Sequence, residues 1–180
     1  MCASTNPKLE PSLARHYQLD PQRSTVVVKA QSTLHEVTSR GAGLHGFVAG
    51  DFSNPETLAE GSISFPLANM SFGDRVRDFA LKRHLNIKQW PEARFVVTGV
   101  QVEQRDPWRV QVLGKLSYRD HVVDLAVAAV GTVTETTLEA TAEFTLKLPE
   151  IGITPPRFLL LKVADTVELQ VRLYGSQSEC

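Results

Sequence analysis

The chain has 180 residues, of which 42% are hydrophobic and 22% charged, a balance that excludes a disordered tail and a fibrous repeat. Lys plus Arg number 19 against 20 Asp plus Glu, so the formal net charge of −1 supplies no global field for gripping nucleic acid or an anionic membrane. A chain this long buries roughly 70% of the surface its unfolded form exposes, so one domain can stand on apolar burial without disulfides or a structural metal.

Residues 1–19 are polar, hold Pro7 and Pro11, show no periodicity, and read as a flexible arm that ends at Asp20-Pro21. The first twenty residues contain no apolar run of about 7 to 15 residues, the length a secretory leader needs. The expected location is therefore the cytoplasm, or the periplasm were a leader removed. No stretch approaches the roughly 20 apolar residues of a membrane-spanning helix. Cys2 and Cys180 stand at opposite ends, and a disulfide between them is not expected.

Beyond the arm the dominant period is two. Strand signals come in order at residues 26–28, 44–51 and 61–67. Gly41-Ala42-Gly43, with Gly46 and Gly50, is irregular and reads as a bulge or turn that lets a sheet bend. The helical stretch lies between residues 74 and 89: Asp74 is a plausible N-cap, Val76, Phe79 and Ala80 recur at spacings of three to four, and Trp90-Pro91 forces a stop. Strands resume at 95–103 and at 108–118, where Trp108, Val110, Val112, Leu116 and Tyr118 share one face and Arg109, Gln111 and Lys115 the other. Further strands fall at 122–130, 138–148 and 167–173. Asp106-Pro107 and Arg119-Asp120-His121 are the short polar breaks of hairpins. Residues 149–162, with Gly152, Pro155 and Pro156, read as irregular, and 176–180 as a short tail to a domain spanning 20–175.

Eight one-sided antiparallel strands close into a barrel, which removes their edges and turns the apolar faces inward. The expected fold is thus all-β: an eight-stranded antiparallel, lipocalin-like barrel with one or two short helices. At this strand number the interior either fills with side chains or holds one slender ligand, and the pattern alone leaves both open.

The residues also resemble those of a known family. The run Tyr17-Gln18-Leu19-Asp20-Pro21-Gln22-Arg23-Ser24-Thr25-Val26 is similar to the opening of the YceI-like proteins, a bacterial polyisoprenoid-binding family. Arg77-Asp78 followed by Leu81, then Pro91-Glu92-Ala93-Arg94-Phe95, resembles its middle section. Val112-Leu113-Gly114-Lys115-Leu116-Ser117-Tyr118-Arg119-Asp120 is similar to its glycine-x-leucine strand and tight turn, and Phe144 with Ile151-Gly152-Ile153 to its late region. The order and spacing of these pieces from Tyr17 to Tyr174 carry the likeness. The resemblance implies an elongated apolar pore for a polyprenyl chain, an isoprenoid quinone or a similar lipid, and no catalytic residues.

Such a ligand needs no polar anchor, since each buried CH₂ contributes about 0.8 kcal/mol and three isoprene units about 10 kcal/mol before association costs. Candidates for the pore lining are Phe65, Phe79, Leu85, Phe95, Leu116, Leu125, Phe144, Ile151 and Phe158. Phe79 and Phe158 stand out because helical and loop segments cap the end of such a barrel; the alternative for each of the nine is plain core filling. Residues 74–94 carry six cations against three carboxylates, a local net charge of +3, which reads either as a docking face for anionic headgroups or as an ordinary solvated helix with Arg77-Asp78 ordering its junction with the barrel. The five histidines lack HxH or HxxxH spacing, so no metal or other cofactor is expected. Ser117, His121 and Asp120 lack a glycine-flanked nucleophile motif. Three readings remain: a carrier of an apolar lipid, a non-catalytic stress-response or protein-interaction module with a packed barrel, and an enzyme acting on an isoprenoid. Pairing of two barrels across exposed strands and transient membrane contact stay open.

Overall fold

The structure is a computed structural model that describes residues 14–158 and 161–178. Cys2, Cys180 and most of the N-terminal arm lie outside the described residues. The described residues form eleven strands: β1 (Ala14–Leu19), β2 (Thr25–Ser32), β3 (Glu36–Ala42), β4 (His45–Asp51), β5 (Ala59–Pro66), β6 (Glu92–Arg105), β7 (Trp108–Tyr118), β8 (His121–Val133), β9 (Thr137–Lys147), β10 (Arg157–Phe158) and β11 (Leu161–Gln177). One α-helix, α1 (Arg75–Leu85), lies between β5 and β6, and 3-10 turns occupy Leu67–Asn69 and Leu148–Ile151.

The strands pair antiparallel around a closed ring of eight, β1-β4-β5-β6-β7-β8-β9-β11, sealed where Tyr17 to Leu19 pair with Gln177 to Gly175. β2 takes over from β1 along the same edge of β11, pairing Val163 to Arg172, and β3 continues that edge outward. β1 and β2 thus form one long strand interrupted at Asp20–Ser24. Ser24 is fully buried at the interruption, where its hydroxyl donates to the Tyr174 carbonyl at 3.3 Å and accepts from the Tyr174 amide at 3.1 Å. A small hydroxyl residue here replaces the ladder bonds that the break removes.

Period-two alternation places the strands, as in β7 and β8, which pair without interruption from Trp108↔Gly131 to Tyr118↔His121. β6 departs from simple alternation. A bulge between Val97 and Gly99 switches the inward residues from Ala93, Phe95 and Val97 to Val100, so one strand of 14 residues serves two lengths of the wall with opposite parity. β8 and β9 pair only from Ala128↔Glu143 to Val133↔Leu138. Below that point they diverge, and the 3-10 turn at Leu148–Ile151 packs against β8 with Ile151 and Ile153 buried.

Three expectations from the sequence are corrected. Residues 14–19, read as part of a polar arm, form β1, and Tyr17 there is fully buried with its hydroxyl donating to the Thr134 carbonyl. Gly41 and Ala42 end a genuine strand, β3, whereas Gly43, at a φ of 108°, makes the expected turn into β4. Residues 149–162 are not wholly irregular, since they hold part of a 3-10 turn, β10 and the start of β11. The helix is as expected, with Asp74 accepting from the amides of Val76 and Arg77 at 2.8 and 3.2 Å.

Candidate functional site: an apolar cavity along the barrel

The inward faces do not meet. They enclose a cavity of about 420 Å³ whose wall runs from Leu85, at the end of the barrel that α1 covers, to Trp108 and Val133 at the opposite end. The atoms facing it are almost all carbon. This volume falls in the range of small-molecule sites.

Small residues on neighbouring strands help keep the middle open. Ala129 of β8 stands directly opposite Ala142 of β9, and both border the cavity. Large rings also line it, and two of them depend on glycines. The Phe65 ring lies so close over Gly41 that a Cβ there would stand 2.7 Å from its Cζ. The Phe95 ring covers Gly114 in the same way, with Cε2 at 2.7 Å from such a Cβ. Each glycine lets a ring lie along the wall instead of projecting across the void.

The α1 end is closed by a helix tied down at several points. Leu81 and Leu85 face the interior. Asp78 accepts from the Ser71 hydroxyl at 2.6 Å and the Phe72 amide at 2.7 Å, bonds that hold its carboxyl below the usual carboxylate range. At the other end of the helix the Leu85 carbonyl accepts from the Tyr118 hydroxyl at 3.0 Å and from Arg119 Nη2 at 3.1 Å. Arg119 Nη1 also reaches the Gly152 carbonyl at 2.8 Å, and the His84 ring bonds the Thr154 carbonyl at 2.6 Å. Helix, β7–β8 turn and the 148–152 turn are thereby one unit.

Of the nine residues singled out from the sequence, Phe65, Leu85, Phe95, Leu116, Phe144 and Ile151 border the cavity. Phe79 does not: it is 69% exposed, because it falls on the face of α1 opposite Leu81. Leu125 sits on the inward register of β8 but does not border the cavity. The Phe95 ring occupies the space over Gly114, the direct partner of Leu125, and takes the wall position at that level. The backbone of Phe158 pairs with Leu161, while its side chain lies outside what the structure describes. Arg77 and Asp78 do not act as a pair. Asp78 alone orders the helix junction, and Arg77 is exposed. Tyr118, Ala129 and Ala142 border the cavity as well, and the alternation of β7 puts Tyr118 on the inward face. Among the described residues no group of three or more His, Cys, Asp or Glu is placed to hold a metal ion.

A closed antiparallel barrel of eight strands around an apolar hollow is the build that lipocalin-like proteins share. The chain belongs to the YceI-like family, whose domain model matches residues 17–174. Solved structures share the fold, among them the following three. BcnA of Burkholderia cenocepacia superposes with a TM-score of 0.74 at 15% identity, over 87% of this chain and 98% of that one. A polyisoprenoid binding domain of Saccharophagus degradans, described as implicated in plant cell wall breakdown, gives 0.70 at 14% identity over 90% and 98%. The YCEI protein of Campylobacter jejuni gives 0.66 at 12% identity over 79% and 86%. Comparison with curated proteins gives no match.

Proposed function

We propose that this barrel binds, and so sequesters or carries, one long-chain apolar molecule of the polyisoprenoid or isoprenoid-quinone class, without acting on it chemically. The observation that carries this reading is the continuous carbon-lined cavity from Leu85 to Trp108. A slender, flexible hydrocarbon fits such a space and draws its affinity from burial alone, at about 0.8 kcal/mol per CH₂. The binding of a polyisoprenoid by the Saccharophagus degradans neighbour, and membership of the YceI-like family, support the same class. The scarcity of polar atoms on the cavity wall supports a non-catalytic role, because proton transfer needs an acid or base within hydrogen-bond reach of the ligand.

The test is organic extraction of the purified protein followed by mass spectrometry, with uptake of a fluorescent polyprenyl probe beside it. Wild type is expected to release a lipid or take up the probe. The double variant Ala129→Phe with Ala142→Phe places two rings at paired small positions of the cavity wall. It is expected to stay folded and to lose at least tenfold in probe affinity, about 1.4 kcal/mol. A wild-type protein that neither carries lipid nor takes up the probe overturns the proposal, and so does a filled variant that binds as well as wild type.

A further inference from the structure

We propose that the outer face of α1 is a docking surface for a bilayer that contains anionic lipid. The observations are independent of the cavity. Among the described residues, the hydrophobic side chains more than 60% exposed are Val76 at 79%, Leu34 at 75%, Phe79 at 69% and Val122 at 61%, and all four stand at the α1 end of the barrel. Val76 and Phe79 are three residues apart on α1 and share its outer face, opposite the buried Leu81 and Leu85.

The charge around this apolar step is one-sided. Asp74 is spent on the amides of Val76 and Arg77, and Asp78 turns to Ser71 and Phe72. Glu92 pairs with His45 at 3.4 Å and with Arg94 at 3.5 Å. Arg75, Arg77, Lys82, Arg83 and Lys88 form no ion pair among the described residues. Arg75, Arg77 and Arg83 thus stand without an acidic partner on the helix that carries the two exposed apolar side chains, with Lys88 just beyond it, while Lys82 offsets part of the charge of Asp78. A short helix of this kind suits the plane of a headgroup layer: the apolar side chains enter the acyl boundary and the cations meet lipid phosphate. The overall charge of −1 hides this local field. Asp120 and Glu150 belong to turns at the C-terminal end of α1, so the contact centres on the first two turns of the helix.

Flotation of the full chain with vesicles tests it, using phosphatidylcholine alone and equal parts of phosphatidylcholine and phosphatidylglycerol. Binding to the anionic vesicles only, weakened by added salt, is expected. Phe79→Ser should lower that binding about tenfold and Arg75→Gln about fivefold. Both side chains are exposed, so far-UV circular dichroism should be unchanged. Equal binding to both vesicle types overturns the proposal, as does no binding or a Phe79→Ser protein that floats like wild type. Concentration-dependent self-association abolished by Phe79→Ser, without flotation, makes the face a contact with a second copy and also overturns it. The cavity-filled Ala129→Phe, Ala142→Phe variant should still float, which separates failure of docking from failure of lipid binding in the barrel.

Discussion

Phe95 and Gly114 are locked together across neighbouring strands: the phenyl ring lies where any larger residue at 114 would place its Cβ. The ring can then line the cavity wall without crossing it, so ring and glycine form one unit.

Gly114→Ala brings a methyl group 2.6 Å from the Val96 carbonyl oxygen as well as against the Phe95 ring. Backbone cannot swing aside, so overpacking should cost about 1–3 kcal/mol, read as a lower urea midpoint. Phe95→Leu in the same chain should recover part of the loss. Strict additivity of the two substitutions would show that ring and glycine do not compete for this space.

The Leu85 carbonyl has two donors, and their removal is not equivalent. Tyr118→Phe leaves Arg119 in place and should cost about 1 kcal/mol. Arg119→Ala also orphans the Gly152 carbonyl and removes charge-assisted bonds, so about 2–3 kcal/mol is expected. Chemical denaturation measures both. A larger effect from the tyrosine would reverse the assignment of the arginine as the principal clamp of α1.

Asp78 is held below its unfolded pKa by the Ser71 hydroxyl first and the Phe72 amide second. Its contribution to stability is therefore fully present above the unfolded value and is lost as pH falls from about 4 through the lower folded value. Unfolding free energies of wild type and Asp78→Asn should differ by a constant amount from pH 7 to 5 and converge in more acid solution. Parallel curves down to pH 3 would contradict the role given to these two bonds.

The barrel was legible because one-sided strands of period two leave few other closures, and the cap at Asp74 followed from residue type alone. Other features depend on contacts the chain order does not display. β1 looks polar in sequence, and what makes it a strand is its pairing on one side with β4, from Ala14↔Asp51 to Gln18↔Phe47, and on the other with β11, where Tyr17 meets Gln177, 160 positions away. Phe79 was placed in the cavity because a capping helix was expected to point its aromatic inward. The phase of the helix is set instead by Leu81 and Leu85, which no composition argument ranks above a phenylalanine. The bulge in β6 makes inward and outward positions trade places mid-strand, so alternation read from one end misassigns the other. Whether the interior is hollow depends on how far rings lie back over glycines, which residue order does not display.

The parting of β8 from β9 below Ala128 leaves one section of the wall without a ladder between these two strands. Elsewhere around the ring, dilation requires breaking ladder hydrogen bonds. Here the wall is plugged by Ile151 and its neighbours, held by apolar contact and by the Arg119 tether. For a guest bound as proposed, a bulkier one would strain this stretch first, and the girth the barrel accepts would then be set less by its strands than by how far one short turn gives way.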